Sequence, residues 1–151
     1  MKKRLWLLFL PILLFGGVFW AKQAAWNRME ADFRSTFIQE AIQVSGGSSV
    51  GLTRHDLTGG YPKSFGQWKN KELEMALADV HLMRSPPPQQ FSEKVPEYFI
   101  CYGSEMSNYF GIFLEVGEDK GAFNFASPQN YEKWQGLELT PKSCRVLKKR
   151  I

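Results

Sequence analysis

The sequence predicts an α+β protein: an N-terminal transmembrane helix that continues into an amphipathic helix, followed by a small antiparallel β-sheet domain. Three observations predict it. Leu5 to Ala21 form a run of seventeen residues without a charge. From Trp26 to Val44 the apolar residues recur at steps of three and four, the period of one helical face. In the last third Phe110, Ile112, Leu114 and Val116 alternate with their neighbours, the period of a strand.

The 151 residues leave room for one compact domain beyond the first helix. The net charge is +4, from 19 basic and 15 acidic residues, and Lys2, Lys3, Arg4 and Lys22 account for all of the excess. From residue 23 to 141 there are ten basic and fifteen acidic side chains, which argues against a nucleic-acid-binding domain.

The first element is the uncharged run. As a helix it is roughly 25 Å long, near the lower limit for a bilayer. Trp6 and Trp20 stand at its ends, and Lys2-Lys3-Arg4 before it predict a cytoplasmic start with all later residues exported. A cleaved signal peptide needs small residues at the minus-three and minus-one positions. Cutting after Ala21, Ala24 or Ala25 instead puts Phe19, Lys22 or Gln23 at minus three, so a retained single-pass anchor is expected. Its bilayer-facing residues are Leu5, Trp6, Leu7, Leu8, Phe9, Leu13, Phe15, Phe19 and Trp20. This predicts a bacterial inner membrane with a periplasmic domain. Residues 1–22 are the start and anchor, 23–44 the amphipathic helix, and 45–151 the β-rich domain with a Pro-rich connector at 85–90.

Residues 26, 29, 33, 37, 41 and 44 draw the stripe of the second element. With no Pro or Gly between them, both helical segments should form one rod. The stripe either packs on the sheet of the same domain or meets the bilayer or another helix. Its candidate partner-binding residues are Trp26, Met29, Phe33 and Phe37. Gly46-Gly47 ends the helix with residues that tolerate positive φ.

Extended structure is expected from Val50 to Leu57, before the break at Thr58-Gly59-Gly60-Tyr61-Pro62. Between Glu72 and Met83 two periods compete. Leu73, Met75 and Leu77 alternate as in a strand, while Leu73, Leu77 and Val80 share a helical face, and strand is the expectation. Pro86-Pro87-Pro88 marks an extended connector. Tyr98 to Tyr102 is a short strand. The strand from Phe110 turns at Gly117 to Gly121 and returns through Phe123 and Phe125 as a hairpin. Ser127-Pro128 opens a short helix, with Ser127 as cap. Leu137 to Leu139 and Cys144 to Leu147 are expected as edge strands.

Cys101 and Cys144 are the only cysteines, and an exported address predicts a disulfide between them rather than two buried thiols. Closing that loop would stabilise the fold by roughly 4 kcal/mol.

The opening also carries a resemblance. A basic start, an apolar helix, an amphipathic helix, a small-residue turn, a strand, and then Gly60-Tyr61-Pro62 followed by Phe65 resemble the beginning of anchored periplasmic proteins similar to the AsmA-like envelope proteins. The resemblance covers residues 1 to about 82. It implies a β-rich envelope protein with an apolar concave sheet that handles lipid, and it carries over no catalytic residue. The helix-then-sheet order is also similar to that of a type IV pilin or pseudopilin. The pilin processing signal is missing, since Arg4 precedes Leu5 and no acidic residue occurs before Glu30.

No catalytic constellation emerges. His55 and Asp56 are adjacent on a predicted strand and so point to opposite faces. His81 stands alone beside Asp79, and the spacing of His55, His81, Cys101 and Cys144 lacks the short pairs of a zinc site. Glu115, Glu118 and Asp119 read as solvated residues around a turn. Gly46-Gly47 and Gly59-Gly60 lack phosphate-loop or dinucleotide spacing, so no cofactor is expected. The surplus of aromatic residues near the C-terminus either fills the core or forms a docking face, with Tyr109, Phe113 and Trp134 as candidate contacts. Lys148-Lys149-Arg150 reads as a solvated end or a headgroup contact. The expected function is that of a non-catalytic, membrane-anchored accessory or structural subunit of an envelope assembly. It would contact the lipid bilayer and another envelope protein; lipid binding or a pilin-like role are the alternatives.

Overall fold

The computed structural model describes residues 5–47, 49–54, 63–85, 96–101, 110–115 and 117–151. The chain divides into two compact units, Met1–Asp32 and Phe33–Ile151.

A single helix, α1 (Leu5–Val44), runs without interruption through Pro11, Gly16 and Gly17. Continuity across Lys22 follows from the absence of any breaker between Val18 and Val44. Among the described residues, however, no helix is long and apolar enough to cross a membrane. The predicted transmembrane anchor, and with it the single-pass inner-membrane address and exported domain, is corrected. The uncharged run ends at Lys22 after roughly 25 Å, short of the ~30 Å hydrocarbon layer.

Positive φ at Gly46 (78°) and Gly47 (101°) turns the chain out of α1. The second unit then builds a five-stranded antiparallel sheet in the order β2-β1-β4-β5-β6. Its strands are β1 (Ser49–Arg54), β2 (Lys63–Lys69), β4 (Pro96–Cys101), β5 (Gly111–Glu115) and β6 (Gly121–Asn124). The β5–β6 hairpin pairs Gly111 with Asn124 and Leu114 with Gly121, and Gly117, at φ 68°, sits in its turn. A separate two-stranded sheet pairs β3 (Leu82–Arg84) with β7 (Leu137–Leu139).

Two elements differ from expectation. Residues Asn70–Leu77 form a helix, α2, where a strand was predicted. Glu72 Oε2 accepts the Lys69 N–H at 2.7 Å, and Leu73, Ala76, Leu77 and Val80 are all buried. Burying the i, i+3, i+4, i+7 set leaves Met75 exposed, which the strand period would have placed inside. Residues Pro141–Arg150 form a helix, α4, in place of the predicted edge strand at Cys144 to Leu147. Thr140 caps it by accepting the Ser143 N–H at 3.3 Å, Pro141 opens it, and three basic residues close it.

The helix at Ser127-Pro128, α3 (Pro128–Lys133), forms as expected, but the Ser127 side chain does not cap it. The buried carboxylate of Glu40 instead fixes the segment that leads into it. Its Oε1 accepts the N–H groups of Ala126 and Ser127, the latter at 3.2 Å. Its Oε2 accepts from Asn130 Nδ2 at 2.6 Å.

The core of this unit joins the lower part of α1 to the sheet. Phe33 packs its ring on Phe123 (4.6 Å between centroids) and edge-on against Trp134 (5.4 Å) and Phe125 (5.8 Å). Phe37 meets Phe125 at 5.7 Å. The edge-to-face contacts among them are those that aromatic quadrupoles favour.

Candidate interaction surface

In the unit Met1–Asp32 the chemistry is that of a bare apolar helix. Phe9, Ile12, Leu13, Leu14, Phe15, Val18, Phe19 and Trp20 are all between 54% and 79% exposed. At 3.6 residues per turn these eight positions fall on every side of the helix rather than on one stripe. A helix that is apolar all round requires cover all round. Gly16 and Gly17 add open space, since a Cβ on either would meet no atom within 4 Å. Below this segment the surface turns polar, and the helix is laced by i, i+4 bonds. Gln23 Nε2 donates to Asn27 Oδ1 at 2.9 Å, and Trp26 Nε1 donates to Glu30 Oε1 at 3.1 Å.

Of the predicted bilayer-facing set, Phe9, Leu13, Phe15, Phe19 and Trp20 are exposed, whereas the side chains of Leu5, Trp6, Leu7 and Leu8 lie outside the described residues. The predicted partner-binding set divides. Phe33, Phe37 and Trp134 are core residues and are not available to a partner. Trp26, Met29 and Phe113 are half-buried, and Tyr109 lies outside the described residues. The stripe on α1 is therefore spent, from Phe33 onward, on its own sheet.

No disulfide forms at Cys144, which is a buried free thiol. The sheet register gives the reason. Cys144 Sγ lies 3.1 Å from where a Cβ on Gly121 would stand. Gly121 pairs with Leu114, and Leu114 with Tyr98, three positions along β4 from Cys101. Three residues of strand are about 10 Å, beyond the reach of a disulfide. Burial raises the Cys144 pKa to about 11, against the lowering influence of Lys148, so this thiol is a poor nucleophile at neutral pH.

The remaining candidates are structural. His81 is exposed and contributes its backbone: its N–H donates to Ser143 Oγ at 2.8 Å, and its carbonyl accepts from Ser143 Oγ and from the Thr140 N–H. The Ser143 hydroxyl is thereby committed to holding α4. His55, Asp56 and the Gly60-Tyr61-Pro62 turn lie outside the described residues. Among the described residues no cluster of three or more His, Cys, Asp or Glu stands ready for a metal ion.

The basic end, expected to be solvated or to meet headgroups, is instead docked. Lys148 Nζ donates to the carbonyls of Glu115 and Glu118, the latter at 2.8 Å. Arg145 pairs with Asp119, and Arg150 bonds the Met75 carbonyl and Asp79.

The chain matches no family model, no curated protein and no solved structure. Glu40 and Lys148, two charged residues that tie distant segments of the second unit together, escaped the sequence. Each acts over a long sequence separation on backbone groups, and such bonds leave no local pattern. Thr140-Pro141 followed by Lys148-Lys149-Arg150 did carry a helix signal, the same one that marked Ser127-Pro128.

Proposed function

We propose that this chain is a non-catalytic subunit of a larger protein assembly, acting through protein–protein contacts that the apolar part of α1 makes with partner helices. The observation that carries this reading is the exposure of the eight large apolar side chains from Phe9 to Trp20. A patch of that kind on a protein surface marks an interaction site. Its distribution around the helix favours a partner that encloses it, because a single flat face would leave half of it in water. Burying one such side chain is worth roughly 1.5–3 kcal/mol, while an exposed ion pair at a flanking residue such as Lys22 is worth under about 1 kcal/mol. Apolar contact therefore governs the association.

The test is native mass spectrometry of the full chain purified from its own cells, alongside a Phe15→Ser/Phe19→Ser variant and a Tyr131→Ser control. The expected result is a complex with a second polypeptide at fixed stoichiometry, retained by the control and lost in the double variant. A lone chain, or a chain carrying only phospholipid, overturns the proposal.

A further inference from the structure

Within Phe33–Ile151, α4 touches three separate parts of the fold. Lys148 reaches the β5–β6 turn through the Glu115 and Glu118 carbonyls. Arg150 reaches the end of α2 through the Met75 carbonyl and Asp79. Ser143 and Thr140 hold the segment before β3 through the backbone of His81. Its own Cys144 and Leu147 are fully buried, with Cys144 seated on Gly121.

What holds α4 is nonetheless slight. Of its ten residues only Ser143, Cys144 and Leu147 are buried. Its two arginine ion pairs are solvent-exposed, at 53% and 44% for Arg145–Asp119 and 35% and 61% for Arg150–Asp79, so they add little. Two apolar side chains, the Ser143 hydroxyl on the His81 backbone and one lysine ammonium do most of the holding. The five-stranded sheet, by contrast, keeps Val50, Leu52, Trp68, Ile112 and Leu114 buried. Elements with few buried apolar contacts open locally before the molecule unfolds.

We propose that α4 is a latch: it undocks as a unit while the five-stranded sheet stays folded, uncoupling the β5–β6 turn from α2 and turning Cys144 from a sequestered thiol into an accessible one. The closed state hides the thiol against Gly121, and the open state presents it.

The experiment measures labelling of Cys144 by an aromatic disulfide reagent in a full-length Cys101→Ala chain over a series of urea concentrations below the unfolding transition. The expected labelling rate changes little with urea, because local opening exposes little surface. Lys148→Met raises it by about ten-fold or more, the factor set by losing charge-assisted bonds to two carbonyls. Lys149→Met, at an exposed position, leaves it unchanged. A rate that climbs with the full urea slope of global unfolding in every variant overturns the proposal. Hydrogen exchange on the unaltered chain gives a second reading that does not depend on the Cys101 substitution. The Leu147 and Ile151 amides should exchange through a smaller opening than the Ile112 amide of β5, and equal protection at all three sites overturns the latch.

Discussion

Glu40 and Asn130 meet across ninety residues of sequence, with Glu40 Oε2 accepting from Asn130 Nδ2 at 2.6 Å. The same carboxylate takes the backbone N–H groups of Ala126 and Ser127. One buried side chain on α1 thus fixes the segment between β6 and α3 and anchors the Asn130 side chain of α3. Glu40→Ala removes the acceptor and leaves three half-buried donors without it, each costing up to about 1–3 kcal/mol. The expected loss is about 3 kcal/mol in the unfolding free energy, measured by urea denaturation. A loss below about 1 kcal/mol would show that water replaces the carboxylate.

The N-cap positions of the two short C-terminal helices should respond unequally to the same substitution. Thr140 accepts the Ser143 N–H, so Thr140→Ala is expected to cost about 1 kcal/mol. Ser127 makes no side-chain cap bond, so Ser127→Ala should change the urea midpoint by little. Equal costs would mean that the Ser127 hydroxyl caps α3 in solution.

Gly121 is a position where space alone decides. A Cβ there would stand 2.8 Å from the Phe113 carbonyl oxygen and 2.9 Å from Leu114 Cδ2, with Cys144 Sγ at 3.1 Å. Backbone cannot yield as a flexible side chain does, so Gly121→Ala is expected to cost about 1–3 kcal/mol. Thermal unfolding of the variant checks it, and an unchanged midpoint would show that α4 shifts freely.

The Cys144 thiol links stability to alkaline pH. Its pKa rises from the ordinary 9.0 to about 11, through burial first. A group whose folded pKa lies above its unfolded value stabilises fully below the unfolded pKa and loses that contribution as pH climbs through the folded one. The window is therefore pH 9 to 11, and two pKa units correspond to about 2–3 kcal/mol. Subtracting the pH profile of Cys144→Ala from that of the parent chain should isolate this fall. Parallel profiles would mean that the thiol ionises as freely as in the unfolded chain.

The sequence by itself determined those elements whose signals are local. The continuous helix rests on an unbroken run of helix formers, its end on Gly46-Gly47, the β5–β6 hairpin on alternation around a Gly-bounded turn, and α3 on Ser127-Pro128. Only the tertiary structure decided the rest. Leu73, Ala76 and Leu77 satisfy helical burial only because a core lies on one side of α2, which the short competing periods of Glu72 to Met83 cannot reveal. Phe33, Phe37 and Trp134 read equally well as core or as docking face until Phe123 and Phe125 are found against them. Cys144 looked ready to pair with Cys101, yet strand register places the Cys101 backbone three positions too far along β4. Side-chain type and spacing set what a residue is able to do. Which neighbour it meets depends on the register and packing of distant segments.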